Sequence, residues 1–250
     1  MELELTVLVA LGAVGMLAGF VDAIAGGGGL IAVPALLSAG LPPVVAFGTN
    51  KMQSVIGTGM AAFTYWRGGF VSLRALALPA VLTFLGAYLG AVVVRSIDTS
   101  ILSYAVPAAL ILIAVYFAFA PRLSDTDRRA RLAFPVFVPA MGFAIGYYDG
   151  IFGPGTGSFL TMGFVILFGL GLTKAAGNTK VLNLVSNLGA LTLFVPSGDV
   201  VWSAAIAMAI GQLVGGYLGA RTGIRFGARL IRPLVVIVSI ILALRLLVFR

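Results

Sequence analysis

Apolar stretches such as LTVLVALGAVGMLAGFVDAIA recur along this chain, and they decide its solvent before anything else. A straight helix needs roughly 20 predominantly apolar residues to cross a bilayer. Several runs here reach that length with almost no charge. Overall 60% of residues are hydrophobic and 10% charged, against roughly 25% charged in soluble domains. The expected fold is an all-α polytopic membrane protein. The first run, 5–25, lacks a basic n-region and a small-residue cleavage site, so it reads as a retained helix and not a signal peptide.

The formal net charge of +8 does not point to nucleic acid. The basic residues lie between apolar segments, with no soluble domain to present a basic face. The chain has no cysteine and no histidine. That excludes thiol chemistry, histidine-ligated haem or zinc, and Ser-His or Cys-His pairs. An intramembrane enzyme is left with Asp, Lys, Ser, Tyr or Asn alone, and no cofactor is expected.

The chain also repeats itself. GFVDAIAGGGG from Gly19 matches GYYDGIFGPGTG from Gly146, pairing Asp22 with Asp149. GTNKMQSVIGTG from Gly48 matches GNTKVLNLVSNLG from Gly177, pairing Lys51 with Lys180, Ser54 with Asn183 and Thr58 with Asn187. GAYLGA from Gly86 matches GGYLGA from Gly215. The chain therefore divides into an N-terminal transmembrane repeat, 1–120, a polar linker, 121–133, and a C-terminal repeat, 134–250. The segments expected in the first half are 5–25, 30–39, 52–66, 73–94 and 101–120. Those in the second are 134–148, 159–170, 181–195, 200–220 and 231–249. Each half thus has three long transmembrane helices plus a pair of short ones, bounded by Gly, Pro and Asn, that read as broken or re-entrant.

The positive-inside rule tests the topology. An odd number of crossings per half puts Arg67, Arg74, Arg122, Arg128, Arg129, Arg131, Arg221, Arg225, Arg229 and Arg232 on one face, leaving Arg95, Arg245 and Arg250 for the other. Four crossings per half would split the arginines almost evenly. The odd count implies inverted-topology repeats, both termini outside and a cytoplasmic linker.

Of the eight acidic residues, only Asp22 and Asp149 occupy matching positions at the ends of apolar segments. Lys51 and Lys180 likewise match, while Lys174 has no counterpart and reads as interfacial. Ionisable groups at membrane depth are costly and face polar cavities, and inverted repeats gather them where half-helix N-termini meet. Gly26, Gly27, Gly28 and Gly29, with Gly153, Gly155, Thr156 and Gly157 in the second copy, permit close backbone approach. Their free N–H groups favour an anion. Lys51 and Lys180 add charge, and Asn50, Gln53, Asn178, Asn183 and Asn187 supply neutral hydrogen bonds. The set favours a small oxyanion.

Plainer roles stand beside these. The glycines can serve helix packing, Asp22 and Asp149 can cap the following helix instead of relaying protons, and the lysines can snorkel to headgroups. A nucleotide loop is ruled out: no Gly-Lys-Ser/Thr follows the glycines, and no strand precedes them.

The GFVDAIAGGGGLIAVPALLSAGLPPVVAFGTNK block and its second copy, GYYDGIFGPGTGSFL followed by GNTK, resemble the TauE/SafE sulfite exporter group, the TSUP family of membrane transporters. The resemblance covers nearly the whole chain. It implies a multi-pass protein of the bacterial inner membrane, one that moves sulfite, organosulfonates or related small sulfur-containing anions, often as export. Motif residues carried over by position are Asp22, Gly26 to Gly29, Asn50 and Lys51, and Asp149, Gly153, Gly155, Asn178 and Lys180. The second copy departs from four glycines to GPGTG, so the half-sites need not contribute equally. The function expected is secondary transport by alternating access, with protons as the candidate coupling ion. A passive anion channel on the same scaffold is the first alternative and an intramembrane enzyme the second. The expected partners are the anion and the lipid bilayer.

Overall fold

The computed structural model describes residues 3–98, 100–102, 104, 108 and 125–227. The segment expected at 231–249 and nearly all of that at 101–120 lie outside the described residues, as do linker residues 121–124 and Arg122, Arg229, Arg232, Arg245 and Arg250. The described residues form an all-helical chain: α1 (Leu5–Ala25), α2 (Gly28–Ser38), α3 (Pro43–Arg67), α4 (Leu73–Arg95), α5 (Phe134–Ile151), α6 (Thr156–Ile166), α7 (Leu172–Phe194) and α8 (Trp202–Phe226).

Three stretches, Leu5–Ile24, Leu73–Arg95 and Trp202–Phe226, are long and apolar enough to cross a membrane. Their outward residues include Val9, Leu78, Val81, Ile206 and Ile210, all more than half exposed. Such a surface suits hydrocarbon, not water. At 11 residues each, α2 and α6 rise only about 16 Å, half of a ~30 Å hydrocarbon core.

The expectation of a second short helix in each half is corrected. Where 52–66 and 181–195 were expected, α3 and α7 run unbroken for 25 and 23 residues. Buried Thr49, Asn50, Lys51 and Gln53 in α3, and Asn178, Thr179, Lys180 and Asn183 in α7, lower the local hydropathy. They do not interrupt the backbone ladder, because they face neighbouring helices and not lipid. Among the described residues each half therefore has one short helix, and α8 also runs on to Phe226 instead of stopping at 220.

Close backbone approach sets the packing, as expected where lipid removes any hydrophobic drive between helices. A Cβ placed on Gly215 of α8 would stand 2.0 Å from the Met16 carbonyl of α1. At the repeat-equivalent Gly86 of α4 it would stand 2.3 Å from the Phe143 carbonyl of α5. The first helix of each half thus packs along the fourth helix of the other, both pairs running parallel. At the centre α3 runs with α8, since Gly48 lies by Asp199, Gly57 by Gln212 and Gly223 by Tyr65. It runs against α7, with Gly177 by Tyr65 and Gly48 by Phe194. The Tyr65 hydroxyl also donates to the Ala23 carbonyl at 3.2 Å, tying α3 to α1.

Charge sorts by end. Arg67, Arg74, Arg221 and Arg225 share one end with the linker arginines Arg128, Arg129 and Arg131. The linker is fastened there, for the N–H groups of Arg128 and Arg131 donate to the carbonyls of Gly169 and Leu167 at 2.7 and 2.9 Å. Its carboxylates cap α7. Asp127 accepts from the Gly171 N–H at 2.7 Å and pairs with Lys174, while Asp125 accepts from the Thr173 N–H and hydroxyl at 3.0 and 2.8 Å. At the opposite end Arg95 pairs with Asp199 at 2.7 Å.

Candidate anion site

The chain turns sharply twice near the middle of the bundle, each time on glycine. Gly26 ends α1 at φ +81°, its N–H donating to the Asp22 carbonyl at 2.8 Å. Gly153, its repeat mate after α5, has φ +86°. Both values lie in the left-handed region that side chains disfavour. The two turns touch backbone to backbone. A Cβ on Gly26 would be 2.2 Å from the Gly157 carbonyl carbon, and one on Gly29 would be 3.1 Å from Pro154 Cα. The N-termini of α2 and α6 therefore start side by side, each carrying roughly half a positive charge.

The aspartates sit in the last turns before these breaks. Asp22 Oδ1 accepts from the Gly28 N–H at 3.3 Å, and Asp149 Oδ1 accepts from the Thr156 hydroxyl at 2.7 Å. Each also holds a lysine from the opposite half. Lys51 of α3 lies 2.6 Å from Asp149, and Lys180 of α7 lies 2.9 Å from Asp22 and also donates to the Asp22 carbonyl. The four residues are 1 to 8% exposed. The lysines are thus turned inward, away from the headgroups. Two ions so buried need each other, since a lone one would cost several kcal/mol of desolvation.

The neutral polar residues divide. Asn50 accepts from Gln53 Nε2 at 2.8 Å, and the same Nε2 donates to Ser54 at 3.1 Å. Gln53 Oε1 is buried without a hydrogen-bond partner among the described residues, leaving an acceptor beside Asn50. Asn183 and Asn187 are buried on α7 near Lys180, at 6% and 3% exposure. Asn178 is not brought to this group. Its Nδ2 donates to the Lys174 carbonyl at 2.8 Å, and it lines a pocket with Lys174 and Ser72 at the arginine-rich end.

Residues absent from the sequence reading complete the site. The Ser186 hydroxyl donates to Asp149 Oδ2, and Tyr148 donates to the Pro154 carbonyl. Thr161 donates to Thr179 at 3.1 Å. Gln212 is buried against Gly19 and Gly57. Helical spacing offers one signal, because Lys180, Asn183 and Ser186 follow one another at three-residue intervals, about one turn apart. The repeat blocks themselves hid it, since its mate is Gly57. Among the described residues no three His, Cys, Asp or Glu side chains cluster as a metal site would require.

Comparison with known proteins agrees with a membrane protein. The family model described as Sulfite exporter TauE/SafE matches residues 11–246. Among curated relatives, Probable membrane transporter protein ORF9 of Sinorhizobium sp is 44% identical over 92% of this chain and 88% of its own length. Probable membrane transporter protein of Haemophilus influenzae is 41% identical over 96% and 94%, and YfcA of Escherichia coli, with the same description, 41% over 94% and 87%. No solved structure matches. The chain belongs to the TauE/SafE family, and it is a membrane transporter and not an enzyme.

Proposed function

We propose that this transporter is a secondary carrier that exports a small sulfur-containing anion, sulfite or an organosulfonate, across the bacterial inner membrane. The anion binds where the N-termini of α2 and α6 meet. The observation that carries this reading is the crossed pairing of Lys51 with Asp149 and of Lys180 with Asp22 beside those N-termini. The formal charges of the four side chains cancel. What remains is the two helix ends, about one positive elementary charge in all. That field suits a monoanion. Asn50, Asn183 and Asn187 carry amide N–H groups that can donate to its oxygens, Gln53 holds Asn50 through its own amide N–H, and Lys51 or Lys180 can turn to the anion while Asp149 or Asp22 is held by other donors or by a proton.

The antiparallel course of α3 and α7, and the exchange of first and fourth helices between halves, support inverted repeats, 1–120 and 134–250. The crossed ion pairs then join the two units whose rocking would switch access. Gathering the described arginines, Arg95 excepted, at one end supports a cytoplasmic linker and external termini. Export of a monoanion from an inside-negative cell is downhill by about 2.3 kcal/mol per 100 mV, so the potential alone can drive it.

The test is flux in proteoliposomes with sulfite, thiosulfate, sulfate and sulfoacetate. A carrier saturates and is trans-stimulated by one of the sulfur anions, whereas a channel shows neither property. Lys51→Ala and Lys180→Ala should each abolish anion binding to the purified protein. Undiminished binding in both would remove the charge site from this mechanism.

A further inference from the structure

At the arginine-rich end, a groove of roughly 980 Å³ opens between the last turns of α3 and α8. Its walls carry Phe63 and Arg67 from α3, and Tyr217, Arg221, Arg225 and Phe226 from α8. Each guanidinium lies over a ring: Arg67 is 5.8 Å from the Phe63 centroid, Arg221 5.2 Å from Tyr217 and Arg225 5.4 Å from Phe226. Tyr217, Arg221 and Arg225 follow one another at four-residue spacing and so share a face of α8. Among the described residues no acidic side chain lines the groove, and none of these three arginines is in an ion pair.

Three guanidinium groups, none of them in an ion pair among the described residues, repel one another, and an anion set between them relieves that repulsion. A phosphate diester answers that arrangement, because guanidinium forks match its oxygens. The rings flanking the groove are themselves open to the bilayer, with Phe63 48% and Phe226 50% exposed. Apolar walls beneath a cationic rim, at the end of two membrane helices, fit a molecule with chains below and a phosphate above.

We propose that this groove binds the phosphodiester headgroup of an anionic phospholipid. The site is separate from the central lysines and aspartates, and it stands whatever anion the transporter moves.

The chain has two tryptophans, one near each end of the bundle. Trp66 packs on Phe63 at the groove, with ring centroids 6.0 Å apart, and Trp202 opens α8 at the far end. The full chain carrying Trp202→Phe is placed in phosphatidylcholine vesicles, and a growing fraction of brominated phosphatidylglycerol or brominated phosphatidylcholine is added. Trp66 quenching should reach half-maximum at about a tenfold lower mole fraction of the anionic lipid. The Trp66→Phe protein, which reads Trp202, should show coincident curves. Arg221→Ala with Arg225→Ala should bring the Trp66 curve back to that of phosphatidylcholine, and millimolar inorganic phosphate should leave it unchanged. Coincident curves at Trp66 in the intact groove would overturn the proposal, and that comparison does not depend on the arginine variant folding. Relief of quenching by inorganic phosphate would overturn it too, by making the groove a site for free anions.

Discussion

The two hinges occupy equivalent places in the repeats but are built differently. Around Gly153 the chain is fastened by hydroxyls: Tyr148 to the Pro154 carbonyl, Thr156 sharing its one proton between Asp149 and the Gly153 carbonyl, and Ser186 to Asp149. Around Gly26 a single hydroxyl takes part, Tyr65 donating to the Ala23 carbonyl, and the other side-chain ties among the described residues are Asp22 to the Gly28 N–H at 3.3 Å and Lys180 to both the Asp22 carboxylate and its carbonyl. The Asp149 side chain is 1% exposed, that of Asp22 12%. The difference teaches that one glycine turn is braced by several hydroxyls and the other by fewer. A group competing for the lysine partner of an aspartate has easier access at Asp22.

Breaking an ion pair separates the two most strongly. Lys51→Met leaves Asp149 buried without its cation, and about 3–5 kcal/mol of stability should be lost. Lys180→Met should cost less, because the more exposed Asp22 can reach water. Thermal unfolding in detergent reads the order, and an equal loss in both would dissolve the distinction. Lys51→Met combined with Asp149→Leu should recover most of the stability, since it leaves no orphan charge. Flux should remain absent if the pair serves transport.

The glycines sharpen the contrast at the next level. Gly26→Ala forces a methyl to 2.2 Å from the Gly157 backbone at a positive φ, and should cost about 3 kcal/mol by overpacking and strain together. Gly27→Ala, whose nearest neighbour is the Leu30 side chain at 3.6 Å, should stay within about 0.5 kcal/mol. The four-glycine run is therefore not one device. Gly26 and Gly28 serve contact, the latter meeting Asp22 Cβ at 2.6 Å, while Gly27 has room.

The repeat blocks made Asp22 and Asp149, and Lys51 and Lys180, stand out in the sequence, and three long helices were visible from hydropathy alone. The crossing of the pairs was not visible. An internal alignment superposes equivalent residues, whereas contact joins non-equivalent ones, Lys51 to Asp149 and Lys180 to Asp22. The full lengths of α3 and α7 were hidden for a related reason: a helix that turns Asn50, Lys51 and Gln53 inward reads as interrupted, although hydropathy measures the side chains and not the backbone. Ser186 escaped because its mate, Gly57, has no side chain, and Gln212 because it and its mate Thr83 are polar residues of different types.

Removing the hydroxyls tests that bracing directly. Ser186→Ala and Thr156→Val each delete a hydrogen bond to a carboxylate, worth about 1.5–3 kcal/mol. They should bring amide exchange around 153–157 up to the faster rate expected around 26–29. Exchange that is already equal in the unaltered protein would show that the extra hydroxyls do not brace the hinge.

The smallest expected effect lies where the central helices begin. α3 starts on Pro42 and Pro43, and proline at the first helical position leaves one fewer N–H to satisfy. α7 starts at Gly171 and borrows its caps from the linker, Asp127 taking the Gly171 N–H and Lys174. The Lys174 side chain first, and the Gly171 N–H after it, hold the Asp127 carboxyl below the usual carboxylate range. A lowered folded pKa means the folded state binds the proton less tightly than the unfolded one. The contribution is therefore fully present above the ordinary carboxylate pKa and disappears as pH falls through the lowered value. Both side chains are about half exposed, so screening limits the pair to about 1 kcal/mol or less. Asp127→Asn should lower the unfolding temperature slightly at neutral pH and leave it unchanged in strong acid, where the native aspartate is protonated as well. Salt should shrink the difference, and a gap that persists in acid would assign the capping to geometry instead of charge.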